Sequence, residues 1–177
     1  MAMTLISTST FSDSASVSIT SGIDSTYKLY MFHLFGINLA TNNAEFQFNV
    51  STDGGSNYNL SKQSTCFQIY QPEDDSDRQL QYVGGGDLAN GTGDQELTRD
   101  SSSDADASLN GTMWLFNPSN STYVKHFCST ISNMAGSPYE DCHYVSGYVN
   151  STSDVDAIIF RTSSGNFDGT ISMYGVG

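Results

Sequence analysis

Basic residues are scarce in this chain: 6 Lys and Arg stand against 19 Asp and Glu, a formal net charge of −13. No cluster of Lys or Arg interrupts that excess, so a phosphate backbone would be repelled and nucleic acid is excluded as a partner. Long apolar runs are missing as well. The longest, 29–40, is broken by His33, Gly36 and Asn38 and is too short to cross a bilayer, so no membrane partner is expected. The first ten residues hold neither a basic segment nor a continuous apolar one, and no secretory signal is expected there. Cysteine is limited to Cys66, Cys128 and Cys142, an odd number that supplies no disulfide framework. The five N-x-S/T sequons, starting at Asn49, Asn59, Asn110, Asn120 and Asn150, then reflect the abundance of Asn, Ser and Thr rather than glycosylation. Blocks of Lys, Glu, Ala and Leu able to build an amphipathic helix are also lacking.

What is present is the composition of strands and turns. Charged residues make up 14% of the chain, and Ser, Thr, Asn and Gly carry the remaining polarity. A length of 177 residues suits one domain, 1–177, with a real core. Segment 44–50 has the cleanest period of two, with Ala44, Phe46, Phe48 and Val50 facing the core and Glu45, Gln47 and Asn49 facing away. Segment 27–35 is apolar at both parities: Tyr30, Phe32 and Leu34 on one side, Leu29, Met31 and Phe35 with His33 on the other. That is the pattern of a strand covered on both faces. Strand patterns recur at 3–10, 15–23, 66–70, 79–83, 112–116, 123–131 and 143–149. At the chain's end, 157–161 and 170–176 flank a Ser/Gly/Asn turn and read as a hairpin, whose last strand is expected to lie against 27–35. About nine to eleven short strands at this spacing predict an all-β fold, an antiparallel two-sheet sandwich that is jelly-roll-like.

Between 84 and 110 the strand pattern dissolves. Three consecutive glycines are followed by Asp87, Asp94, Glu96, Asp100, Asp104 and Asp106 among serines and alanines. A tract so acidic and so poor in apolar residues reads as a long solvated loop that buries almost nothing.

Candidate chemistry is thin. His126, Cys128, Cys142 and His143 offer zinc-type donors, but on extended strands Cys142 and His143 point to opposite faces, and the spacing misses the usual ligand patterns. No metal is therefore expected. Gly84, Gly86 and Ala89 imitate a dinucleotide fingerprint without the helix that must follow it, and no cofactor is expected. Asp104, Asp106 and Ser108 begin like a calcium loop, yet Leu109 and Leu115 occupy its glycine and bidentate positions. An irregular calcium site in the acidic tract stays open as an alternative. Ser51, Asp53 and Gly55 match the first part of an S-x-D-x-G-x-T-W box, a tight hairpin turn, while Asn57 and Tyr58 depart from it. As paired glycosidase carboxylates, Asp154 with Asp156 or Glu140 with Asp141 have nothing to select them among so many acids. No assignable catalytic set remains, and the expectation is no enzyme.

Residues 24–30 (DSTYKLY), the segment 44–58 running into Ser-Thr-Asp-Gly-Gly-Ser, and 160–176 with its Ser-Ser-Gly-Asn-Phe and Ile-Ser-Met-Tyr-Gly pieces resemble small structural proteins of tailed bacteriophages. The resemblance does not extend to 73–106 or 123–148. It implies a head decoration, or cement, protein: a non-enzymatic β sandwich on the capsid surface of the virion, binding the major capsid protein as a homotrimer. The rival reading is a tail-fibre or receptor-binding module for a host glycan, with Trp114, Tyr123, Tyr139, Tyr144 and Tyr148 as stacking platforms. Core packing is the first expectation for each of these aromatics. A depolymerase is a third reading. A short chain opening on Met, without the coiled-coil shaft that a fibre tip normally carries, favours decoration.

Overall fold

The structure, a computed structural model, describes residues 2–137 and 139–177. Among these residues the chain forms strands alone: β1 (Met3–Ser14), β2 (Ser16–Ile19), β3 (Leu29–Leu39), β4 (Phe46–Ser51), β5 (Lys62–Pro72), β6 (Gln79–Tyr82), β7 (Ala89–Gly91), β8 (Gln95–Glu96), β9 (Leu109–Phe116), β10 (Lys125–Met134), β11 (Tyr139–Val149), β12 (Ala157–Thr162) and β13 (Phe167–Val176). They build two antiparallel sheets. The large one has nine strands in the order β1-β13-β3-β9-β10-β11-β5-β6, with β7 also on β5; the small one has four, β2-β12-β4-β8. The two-sheet sandwich expected from strand spacing is therefore the fold. No helix of the described residues is long and apolar enough to cross a membrane.

From β1 to β5 each successive strand lies in the opposite sheet, so the inner faces are stitched together by crossovers as well as by packing. The core is aromatic. Phe46 stacks on Phe160 within the small sheet, at 6.0 Å and 7° between planes. Phe32, Phe127 and Phe167 of the large sheet meet Phe160, Phe48 and Phe46 at 5.7, 5.1 and 5.4 Å. All six rings are buried. Edge-to-face and tilted contacts of this kind add to the transfer free energy of the rings.

Three expectations need correction. The last two strands are not a hairpin: β12 pairs with β2 and β4 in the small sheet, whereas β13 pairs with β1 and β3 in the large one. The 163–166 turn instead carries the chain between sheets. Thr162 Oγ1 donates to the Ser164 and Gly165 carbonyls, and Gly165 takes φ 74°. The pairing of the last strand with 27–35 does hold, with Ile171 opposite Leu34 and Met173 opposite Phe32. Likewise, the 51–58 turn is a crossover from β4 to β5 and not a hairpin.

The acidic tract is the largest departure. It contributes β7 and β8, and Val83, Gly86, Gln95, Leu97, Thr98, Ser101, Ser102, Ala107 and Leu109 within or beside it are buried. Asp100, Asp104 and Asp106 are exposed, Asp87, Asp94 and Glu96 half-buried, and the backbone docks: Leu97 N–H donates to Phe46 O, Ser101 N–H to Ala44 O and Ser102 N–H to Met134 O. The segment is held by main-chain hydrogen bonds, which side-chain composition does not display.

Phe160→Ala would remove the ring that touches both Phe32 and Phe46, at a cost of about 3–5 kcal/mol. Chemical denaturation should show that loss, against about 0.5–1.5 kcal/mol for Ile158→Val on the same strand.

Candidate functional site

Residues directly opposite on paired strands share a face, so the registers define what the large sheet shows to the outside. One row runs Met3, Val176, Leu29 and then, through the neighbouring pairs, Phe116, His126 and Tyr148. The next runs Leu5, Tyr174, Met31, Trp114, Cys128, Ser146 and Thr65. A third runs Thr8, Ser172, His33, Thr112, Thr130, Tyr144, Phe67 and Tyr82, and a fourth ends Cys142, Ile69, Leu80. None of these residues is Asp, Glu, Lys or Arg. Glu140, accepting from Ser132 Oγ at 2.6 Å, marks the rim.

No strand among those described covers this face. Leu80 is 68% exposed, Tyr82 59%, Leu5 55%, Phe35 48% and Phe67 42%. Phe67 and Tyr144 stack flat, 4.8 Å apart and 10° between planes, and His126 leans on Tyr148. The double-parity pattern of 27–35 is thereby explained: Tyr30, Phe32 and Leu34 face the core, while Leu29, Met31, His33 and Phe35 belong to the outer face. The expected second covering layer is absent from the described residues. The aromatics expected in the core are also outside it. Trp114, Tyr144 and Tyr148 lie on this outer face, Tyr123 is 69% exposed beyond β9, and Tyr139 packs against Tyr70 at the sheet's end.

The sequence candidates do not assemble. His126 and Cys128 are on the outer face, Cys142 is opposite Ser132 four residues along β10 from Cys128, and His143 points inward. Among the described residues no group of three or more His, Cys, Asp or Glu could hold a metal ion. Asp104 and Asp106 are exposed, and the Asp104 carbonyl accepts from Asn38 Nδ2. Gly84 lies in an open groove of about 260 Å³ between Gln81 and Arg99, and Gly86 is buried against Cys66, with Ala89 starting β7. Glu140 and Asp141 face opposite sides of the sheet and cannot act as a pair. Asp154 is exposed, whereas Asp156 accepts from Gly54 N–H at 3.0 and 3.1 Å.

An internal polar cluster that sequence reading missed sits behind the outer face. His143 Nε2 lies 2.7 Å from Asp141 Oδ1 and 3.3 Å from the Arg99 backbone nitrogen, and Arg99 pairs with Glu96 at 3.2 Å. Burial holds the Glu96 carboxyl up at about 7 and, helped by Glu96 itself, pushes the Cys66 thiol up to about 12. A thiol so reluctant to ionise is a packing group and no nucleophile. The Arg99–His143 contact ties the acidic tract to β11, although His143 Nδ1 has no hydrogen-bond partner among the described residues.

The Ser51–Tyr58 turn is a compact hydrogen-bonded unit. Ser51 Oγ accepts from the Asp53 and Gly55 N–H groups at 3.1 and 3.0 Å, and Asp53 accepts from Asn57 N–H and Nδ2 at 2.9 and 2.7 Å. Gly55 takes φ 85°, and a Cβ there would lie 2.7 Å from Thr20 Cγ2. Asn57 thus completes the box where Thr was expected.

No protein-family model, curated protein or solved structure matches the chain.

Hydrogen bonds from Asn57 and Ser51 hold the Asp53 carboxyl down at about 2, from an ordinary 3.8. A folded-state value below the unfolded one stabilises above the unfolded value and is lost as pH falls through the folded one. Acid unfolding between pH 3.8 and about 2 should accordingly be less steep in Asp53→Asn than in the parent, followed by circular dichroism.

Proposed function

We propose that this chain is a non-enzymatic structural protein of a virion, a capsid decoration protein whose partner is the major capsid protein and which acts as a homotrimer. The observation that carries the reading is the uncharged, aromatic outer face of the large sheet on a molecule of net charge −13. Exposed apolar surface that is continuous over several strands marks contact with another macromolecule. The resemblance of the 24–30, 44–58 and 160–176 segments to phage structural proteins suggests the particular partner. The acids are displaced from the face into the 73–106 excursion, where they keep the free protein soluble without having to be paired on docking.

A second reading has its own observation. Trp114, Tyr144 and Tyr148 share the outer face with Phe67, and a flat array of rings suits stacking on sugar rings. Binding of a host-surface glycan to the isolated chain, quenching the Trp114 fluorescence, would favour a receptor-binding module over decoration.

Decoration through an uncharged face should be insensitive to salt, since screening acts on charge and has a range of about 10 Å at 0.1 M. Co-sedimentation with capsids should then be unchanged at high salt, and Leu80→Asp with Tyr82→Asp should weaken it about tenfold or more. Release by salt, or full binding by the double variant, would overturn this reading.

A further inference from the structure

Asn49 and Lys62 form a pair for which neither the fold nor the proposed docking face accounts. Asn49, expected to face solvent, is 1% exposed, and Lys62 is fully buried. Lys62 Nζ lies 2.7 Å from Asn49 Oδ1 and 2.8 Å from the Leu60 carbonyl, with no carboxylate in hydrogen-bond contact. The amide is held at both ends. Its Oδ1 also accepts from Val50 N–H at 2.9 Å, while its Nδ2 donates to Asp94 Oδ1 at 2.9 Å and to the Thr92 and Gly93 carbonyls at 3.3 and 3.4 Å.

We propose that Lys62 and Asn49 join spontaneously in an intramolecular isopeptide bond, with Asp94 as the group that positions the amide and passes the proton, so that β4 of the small sheet is covalently tied to β5 of the large one. The neutral Lys62 amine adds to Asn49 Cγ, the atom bonded to the oxygen it already touches, about 1.2 Å further along the carbonyl. The Nζ–Cγ bond forms and the carbonyl electrons move onto Oδ1, where Val50 N–H stabilises the developing charge. One proton leaves the former lysine nitrogen and reaches Nδ2 through the Asp94 carboxylate. The Cγ–Nδ2 bond breaks, the carbonyl reforms and ammonia departs. Atoms and electrons balance without oxidant, metal or cofactor.

Three features favour this chemistry. Burial, and then the Arg161 charge, lower the Lys62 amine to about 8 against the opposing pull of Asp94, so a useful fraction is unprotonated near neutrality. The partners are fixed by the sandwich itself, which removes the entropic cost of bringing them together. Asp94 is itself held, 3.3 Å from Arg161 Nε, on the side of the leaving nitrogen.

Mass spectrometry of the purified chain tests this. The expected mass is about 17 Da below that of the sequence, one ammonia. Trypsin does not cut at an acylated lysine, so the peptides 29–62 and 63–78 should be replaced by one light peptide, 29–78. Lys62→Arg keeps a cation in the same place but should show the full mass, and Asp94→Ala should slow the loss about tenfold or more. In protein refolded from denaturant, the rate of ammonia release should rise with pH up to about 8, as Lys62 loses its proton. A full-mass protein cut normally after Lys62 overturns the proposal. So does a light protein still cut there, because its ammonia would have come from an asparagine alone.

Discussion

The structure depends on one constraint: a nine-stranded sheet has a wider inner face than four strands can cover. The Phe46, Phe48 and Phe160 rings seal its middle against Phe32, Phe127 and Phe167. Toward β11 and β5 the small sheet has narrowed to the two residues of β8, and something else must close the sandwich. The 95–102 segment does so. Leu97 enters the core, Thr98 and Ser101 bond to each other at 3.0 Å, and Ser101 bridges Ala44 and Ala135. The price is a set of buried polar groups: Arg99 N–H and its carbonyl bond to His143 Nε2 and Asn133 Nδ2, while Asn133 Oδ1 and His143 Nδ1 are left without hydrogen-bond partners among the described residues.

That division explains which parts of the fold are legible from residues alone. The alternation over 44–50 is legible where Ala44, Phe46, Phe48 and Val50 pack into the core, and it fails at Asn49, which is buried on the other parity against Lys62. The pairing of the last strand with 27–35 follows from two apolar segments that need partners. The terminal and 51–58 turns mislead because glycine-rich turns look the same whether they join neighbours or cross between sheets. The acidic tract misleads for a different reason. Its burial is carried by backbone hydrogen bonds and by small polar side chains, so a reading that weighs apolar content against charge sees only the exposed half.

The outer face was visible in the sequence as a surplus. Apolar residues at both parities of 27–35 require cover on both sides, and the core supplies one side only. The same surplus appears at Phe67, Ile69, Leu80, Tyr82, Trp114 and Tyr144, which fall into shared rows only when the registers are known. Periodicity gives each strand's two faces but not which of them meets a neighbour's apolar face. Hence the aromatics, each of which reads as core in isolation, form one external surface.

The two buried lysines separate a structural role from a reactive one. Lys62 and Lys125 both lie opposite Val149, one on each side of it, and both point into the same end of the sandwich. Burial lowers the pKa of each. Lys125 donates to the Tyr123 and Ser151 carbonyls at 3.0 and 3.2 Å, main-chain oxygens whose carbons are locked into peptide bonds. Displacing a peptide nitrogen there would break the chain, so its geometry holds the 123–125 and 149–151 turns and goes no further. Lys62 has one such carbonyl, from Leu60, and in addition a primary carboxamide whose nitrogen can leave without cutting the backbone. Only that second lysine also has a carboxylate, Asp94, on the leaving nitrogen. Desolvation is common to both, and the difference in chemistry comes from the Asn49 amide and the Asp94 carboxylate that holds it.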